Sequence, residues 1–90
     1  MYDKGIEFEW DPDKSAQNLV KHGISFMEAQ ALWEDEFVVE LPARDEDEDR
    51  FLVIGRIGDL YWTAIITYRE ARVRIISVRR TRSLEVSIYE

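Results

Sequence analysis

The stretch from Phe51 to Val78 reads FLVIGRIGDLYWTAIITYREARVRIISV, and its spacing decides the fold. Phe51 to Ile57, Leu60 to Arg69 and Arg72 to Val78 each read as a strand. Only Gly58-Asp59 parts the first two, and only Glu70-Ala71 the next two. Links of two residues leave the chain one option, a hairpin in which each run folds back antiparallel on the last. The spacing predicts an antiparallel meander at the centre of the molecule.

Toward the N-terminus, Pro42 through Arg50 reads as a loop with five successive acids, Asp45 to Asp49, and Phe37 to Leu41 as a strand before it. The acids lack the glycine and the ordered alternation of an EF-hand, so a solvated loop is expected. Ser25-Phe26-Met27-Glu28 matches a capping box. It opens a helix to about Trp33 that is apolar round much of its circumference and is expected to be well buried. Asp11-Pro12 supplies an N-cap and a first-turn proline for an earlier helix ending near His22, with Gly23 placed to close it. Ala16, Leu19 and Val20 form that helix's apolar stripe. Ile6 to Trp10 alternates with period two, as a short strand does. Beyond the meander, Leu84, Val86 and Ile88 are spaced for a final helix within Thr81 to Tyr89. The expectation is one α+β domain over residues 1–90, in the order β-α-α-β-β-β-β-α. It has a central antiparallel sheet, helices packed on one face, and an open sheet face for a ligand or partner.

Composition narrows the function classes. The chain has 90 residues and no cysteine, which removes disulfide frameworks, Cys-ligated zinc and thiol nucleophiles; its one histidine removes multi-His metal sites. P-loop, GxGxxG, nucleophile-elbow and HExxH patterns are absent, and neither a cofactor nor a metal is expected. The apolar runs are too short for a bilayer and no leader pattern opens the chain, so a soluble, cytoplasmic protein with no membrane association is expected.

The net charge of −7 is unevenly spread. Residues 1–60 hold 6 basic and 16 acidic side chains, residues 61–90 hold 6 and 3, a change from −10 to +3. All six of the later bases are arginine: Arg69, Arg72, Arg74, Arg79, Arg80 and Arg82. A local patch of guanidinium groups binds phosphate oxygens bidentately even on an acidic molecule. Alternation sets Arg72 and Arg74 on one face, and sends Arg79 and Arg80 in different directions. An edge strand solvated by charge would look the same in sequence. His22 is the one imidazole, a side-chain type suited to proton transfer, but at the end of a helix it equally suits a capping role. Lys14 and Lys21, seven apart, share a side of the first helix. Glu85 and Tyr89, four apart, share a face of the last.

A longer pattern ties these pieces together. Phe8-Glu9-Trp10-Asp11-Pro12-Asp13-Lys14, followed by Asn18-Leu19-Val20-Lys21-His22-Gly23-Ile24-Ser25-Phe26-Met27-Glu28-Ala29, resembles the N-terminal signature of the BrnT toxin family. Thr67-Tyr68-Arg69 resembles that family's T-x-R, Arg74-Ile75-Ile76-Ser77-Val78-Arg79-Arg80 its R-I-I-S-A-R segment, and Glu85 with Tyr89 its closing E-x-x-x-Y. The tail from Leu84 to Ile88 is more apolar and less basic than in many members. The resemblance implies a RelE-like fold and a ribonuclease toxin of a type II toxin–antitoxin system that arrests translation by cutting RNA. It also implies a BrnA-like antitoxin, which represses the shared operon through its own DNA-binding domain, and a toxin homodimer within the complex.

On that reading the 2′-hydroxyl of RNA is the nucleophile and no metal is needed. Arg79, first, with Arg69 and Arg74, would hold the phosphate. His22 or Glu85 would be the base. Lys21, Tyr89, Arg80 and Thr67 would bind substrate. Two rivals stand beside it: a non-catalytic binding module or co-repressor acting through the arginine face, and direct DNA binding. The second lacks a basic recognition helix.

Overall fold

The computed structural model describes residues 5–43 and 49–90. Of the loop expected from Pro42 through Arg50, residues 44–48 lie outside the described residues, and Pro42 falls in the preceding strand instead. The elements run β1 (Phe8–Glu9), α1 (Pro12–His22), α2 (Phe26–Ala29) continued by a 3₁₀ turn (Gln30–Glu34), β2 (Val39–Pro42), β3 (Phe51–Ile57), β4 (Leu60–Arg69), β5 (Arg72–Arg80) and α3 (Ser83–Tyr89). The class is α+β, in the expected element order.

The meander forms as its spacing requires. Ile57 pairs Leu60 across Gly58-Asp59, and Arg69 pairs Arg72 across Glu70-Ala71. Gly58 takes the positive φ of +62° that a two-residue hairpin needs at its first position. Glu70 and Ala71 take φ of +52° and +70°, a conformation that strains side chains with a Cβ. Between Ile65 and Ile66 the β4–β5 register slips by one residue, so Ile75 pairs Ile66 while Ser77 pairs Ile65. This bulge keeps Val73, Ile75 and Val78 on one face despite their uneven spacing.

Two expectations about the layers are corrected. The sheet is mixed, with five strands in the order β1-β5-β4-β3-β2, because β1 lies parallel to β5, with Phe8 opposite Val73 and Glu9 opposite Arg74. Alternation in a short strand reports which faces its side chains take, not the direction of its neighbour. Nor do all the helices share a face. The layer of α1, α2 and the 3₁₀ turn covers the face bearing Val53, Trp62, Ala64, Ile66, Val73, Ile75 and Val78, with Phe26, Ala29 and Leu32 completing the core. That face is thereby filled. Ile54 and Thr63 point the other way, are fully buried, and find their cover under α3.

Helix α1 is set by its caps. Asp11 Oδ1 accepts from the Asp13 amide at 2.9 Å, and Gly23, at φ +83°, donates to Leu19 O at 2.9 Å. The Ser25 capping box starts α2 as expected, with Glu28 N donating to Ser25 Oγ and Ser25 N to Glu28 Oε1. The apolar stripe, however, faces out: Ala16 and Leu19 are exposed, and Val20 is 88% exposed. The inward residue is Asn18, whose amide brackets β5 beyond the end of β1. Its Oδ1 accepts from Val78 N at 3.1 Å, and its Nδ2 donates to Val78 O and Ile24 O, both at 2.9 Å. A buried strand edge needs its backbone groups paired, and that need outranks the stripe. Among the described residues, no helix is long and apolar enough to cross a membrane.

Candidate functional site

Strand alternation divides β5 into a core set and a set on the opposite face, where Arg72, Arg74 and Arg79 stand. Among the described residues, no helix covers this second face near the β4–β5 turn. Arg50, Thr67, Tyr68, Arg69, Arg74 and Ile76 line a cleft of about 260 Å³ there. The Thr67 hydroxyl donates to Asp49 O at 2.6 Å, tying the cleft wall to the segment that enters β3.

The parallel pairing of β1 brings a carboxylate to this spot. Glu9 lies opposite Arg74, and Arg74 Nη1 donates to Glu9 Oε2 at 2.9 Å. Arg69 Nη1 lies 3.5 Å from the same oxygen and Arg72 Nη1 3.7 Å from Oε1, while Arg72 Nε reaches Glu7 Oε1 at 3.3 Å. Three guanidinium groups thus converge on one carboxylate. The Arg74 hydrogen bond, with the charge of all three arginines, holds the Glu9 carboxyl below the usual carboxylate range. The Arg69 and Arg72 side chains are 62% and 48% exposed, while those of Arg74 and Glu9 are partly buried at 31% and 22%.

At the other end of β5 the arrangement is closed. Arg79 Nη1 and Nη2 donate to Glu85 Oε1 and Oε2 at 2.9 and 2.7 Å, a bidentate pair. Thr63 Oγ1 donates to Glu85 Oε1 at 3.1 Å and lies 2.9 Å from Thr81 Oγ1, and the Arg82 amide donates to the same carboxylate oxygen at 3.0 Å. The Arg79 side chain is 19% exposed and that of Glu85 13%. The Arg79 hydrogen bonds hold the Glu85 carboxyl down at about 2, and Glu85 in turn raises Arg79.

The remaining residues expected at the site are dispersed. Arg80 points to the core side, its guanidinium 5.5 Å from the centre of the Trp62 ring and its Nε donating to Tyr61 O. His22 and Lys21 sit in the last turn of α1, which packs on the opposite face of the sheet from the arginine cleft. The Tyr89 hydroxyl donates to Asp35 Oδ2 at 2.8 Å, and burial together with that bond pushes its phenol up to about 12. Tyr89 therefore lines a separate hollow with Asp35, Phe37 and Arg56. Of the residues read from sequence, Thr67, Arg69 and Arg74 come together, and Arg79 and Glu85 form their own pair.

Arg50 lines the cleft, and Glu9 and Arg72 join Arg69 and Arg74 beside it, without having been expected there as site residues. Glu9 sits in the alternating run before α1, but only the parallel pairing, which alternation does not encode, places it beside Arg74. Among the described residues, no group of three or more His, Cys, Asp or Glu side chains is arranged to hold a metal ion.

Convergent guanidinium groups beside an open cleft can bind one phosphodiester and stabilise charge that builds on it. Comparison with known families accords with that chemistry: the family model described as "Ribonuclease toxin, BrnT, of type II toxin-antitoxin system" matches residues 10–85. No curated protein matches the chain.

Proposed function

Because the chain belongs to the BrnT family of ribonuclease toxins of type II toxin–antitoxin systems, we propose that it is a RelE-like, metal-independent endoribonuclease whose cleavage site is the Arg69–Arg74 cleft. The observation that carries this reading is the convergence of Arg69, Arg72 and Arg74 on the single carboxylate of Glu9. A phosphodiester bound there meets the same donors. The 2′-hydroxyl of the preceding ribose attacks the phosphorus, and the bond to the 5′-oxygen breaks. The products are a 2′,3′-cyclic phosphate and a free 5′-hydroxyl.

Arg69 and Arg74 stabilise the charge on the non-bridging oxygens, Arg72 assists, and Thr67 lines the wall against the ribose. Glu9 takes the 2′ proton, and the departing 5′-oxygen takes a proton from solvent water. While the arginines hold it, its basicity is low; a phosphate that draws them away returns it. Glu85, pinned at about 2 by Arg79, is the weaker base of the two.

RNA cleavage of this kind in a cytoplasmic toxin inhibits translation, and a BrnA-like antitoxin neutralises it, with the toxin as a homodimer in the complex. Supporting the protein partners, α1 leaves Leu19 and Val20 in solvent.

Incubation of the purified protein with end-labelled RNA in EDTA tests the proposal. Cleavage is expected, with cyclic phosphate at the new 3′ end, and Arg74→Ala is expected to lose it. Cleavage that needs added divalent cation, or an Arg74→Ala protein as fast as wild type, overturns it.

A further inference from the structure

The Arg79–Glu85 pair is built as an anion site with the anion supplied by the chain itself. Both oxygens of one carboxylate fill the fork of one guanidinium, and a threonine hydroxyl donates to the same group, at 2.9, 2.7 and 3.1 Å. A phosphate presents the same pair of oxygens to the same fork. We propose that Arg79, with Thr63 and Thr81, is a second phosphate subsite for single-stranded RNA, occupied by Glu85 until the RNA backbone displaces it. The inference rests on the reading of the Arg69–Arg74 cleft as the cleavage site.

Placement supports it. Arg74 is opposite Thr67 and Arg79 opposite Thr63, so the two arginines share a sheet face. Those partners are four positions apart on β4, a span of roughly 13 Å along the strand. An RNA strand lying along β5 with one phosphate in the open cleft carries a later phosphate to Arg79 within a few nucleotides.

The cover over Arg79 is also lightly attached. Helix α3 has no fully buried residue, and Leu84 and Ile88 are 82% and 53% exposed. Among the described residues, its side-chain tethers other than Glu85 lie at its far end, where the Tyr89 hydroxyl donates to Asp35 and Glu90 accepts from Tyr61. Moving Glu85 aside exchanges its bonds from Arg79 and Thr63 for those of a phosphate and gives up its bond from the Arg82 amide at the start of α3. Glu85 thus sets a threshold: weakly bound anions do not displace it, whereas a polyanion already anchored at Arg74 does.

The test measures binding of a non-cleavable 2′-O-methyl oligonucleotide across a salt series. Glu85→Gln keeps the shape and removes the competing charge. It is expected to bind several-fold tighter, with the slope of log K against log salt steeper by about 0.7, the value of one more neutralised phosphate on a single strand. Adding Arg79→Gln is expected to cancel both gains. Leu84→Gly retains Arg79 and Glu85 but loosens α3, and is expected to tighten binding by a smaller factor; it serves where Glu85→Gln disturbs the fold. Unchanged or weaker binding in both Glu85→Gln and Leu84→Gly, with an unchanged salt slope, overturns the subsite. Loss of cleavage in Arg74→Ala alongside that result removes the subsite alone. Full cleavage in Arg74→Ala removes the first site and this inference with it.

Discussion

Arg74 and Arg79 stand on one strand and one face of one sheet, yet their surroundings assign them different work. Around Arg74, three guanidinium groups share a carboxylate at 2.9 to 3.7 Å, beside an open cleft. Around Arg79, one guanidinium and one carboxylate meet bidentately beneath a helix. The Arg69 and Arg72 contacts are exposed, screened by water and contribute little to stability, so on the proposed reading they can exchange the carboxylate for a ligand. A pair drawn out of water is held by its geometry and costs much to break on one side. On the proposed reading the same residue type is a binding group at one end of β5 and chiefly a fastening at the other.

Substitutions at the two ends separate these roles. The largest expected effect is on Arg74→Ala, which should cut RNA cleavage roughly 10²-fold or more, the scale of one lost preorganised donor. Its urea midpoint should hardly move. A large fall in stability together with lost cleavage would erase the contrast. Next, Arg79→Ala should lower the unfolding free energy by about 2 kcal/mol, because Glu85 is left with a shielded carboxylate and no counter-charge. Urea unfolding monitored by the fluorescence of the three tryptophans would read this.

Acid sharpens the comparison further. Glu85 is held at about 2 against an ordinary 4.5, so the unfolded chain takes up this proton first. Its stabilising contribution is complete above about pH 4.5 and fades as the pH falls toward 2. Wild-type protein should lose stability through that window, and Glu85→Gln should show a shallower acid limb there. Equal limbs would mean the pair is not the fastening described.

The smallest expected effect concerns the turn that spaces Arg69 from Arg72. Ala71 sits at φ +70°, which glycine adopts without penalty. Ala71→Gly should stabilise by about 1 kcal/mol, raising the melting temperature by about 4–8 °C in a chain of this size. An unchanged or lower melting temperature would show that the turn is not strained.

Much of this was legible along the chain. The two hairpins were fixed by two-residue links, and β3 and β4 begin and end where the sequence reading put them. The caps of α1 and α2 were plain, because a cap is a contact between residues two to four apart. Alternation separated Arg79 from Arg80, and the charge bias of the last third marked the face of the proposed site. The stripe of α1 misled. Leu19 and Val20 carry the apolar signal, but Asn18 faces inward, since Val78 presents backbone groups that only a polar side chain can pair. Phe37 was read into β2, but it is exposed and its amide donates to Asp35 Oδ1, so β2 begins at Val39.

The sequence by itself determined the element order, the hairpins, the helix starts and the supply of arginine, because each depends on neighbours within a few residues. Tertiary structure alone decided which arginines share an anion. Glu9 reaches Arg74 across 65 residues through a parallel pairing, and α3 crosses to the second face because the first is already filled by the α1–α2 layer. Both outcomes follow from strand edges that must be paired and apolar faces that must be covered, and those demands are met in space rather than along the chain.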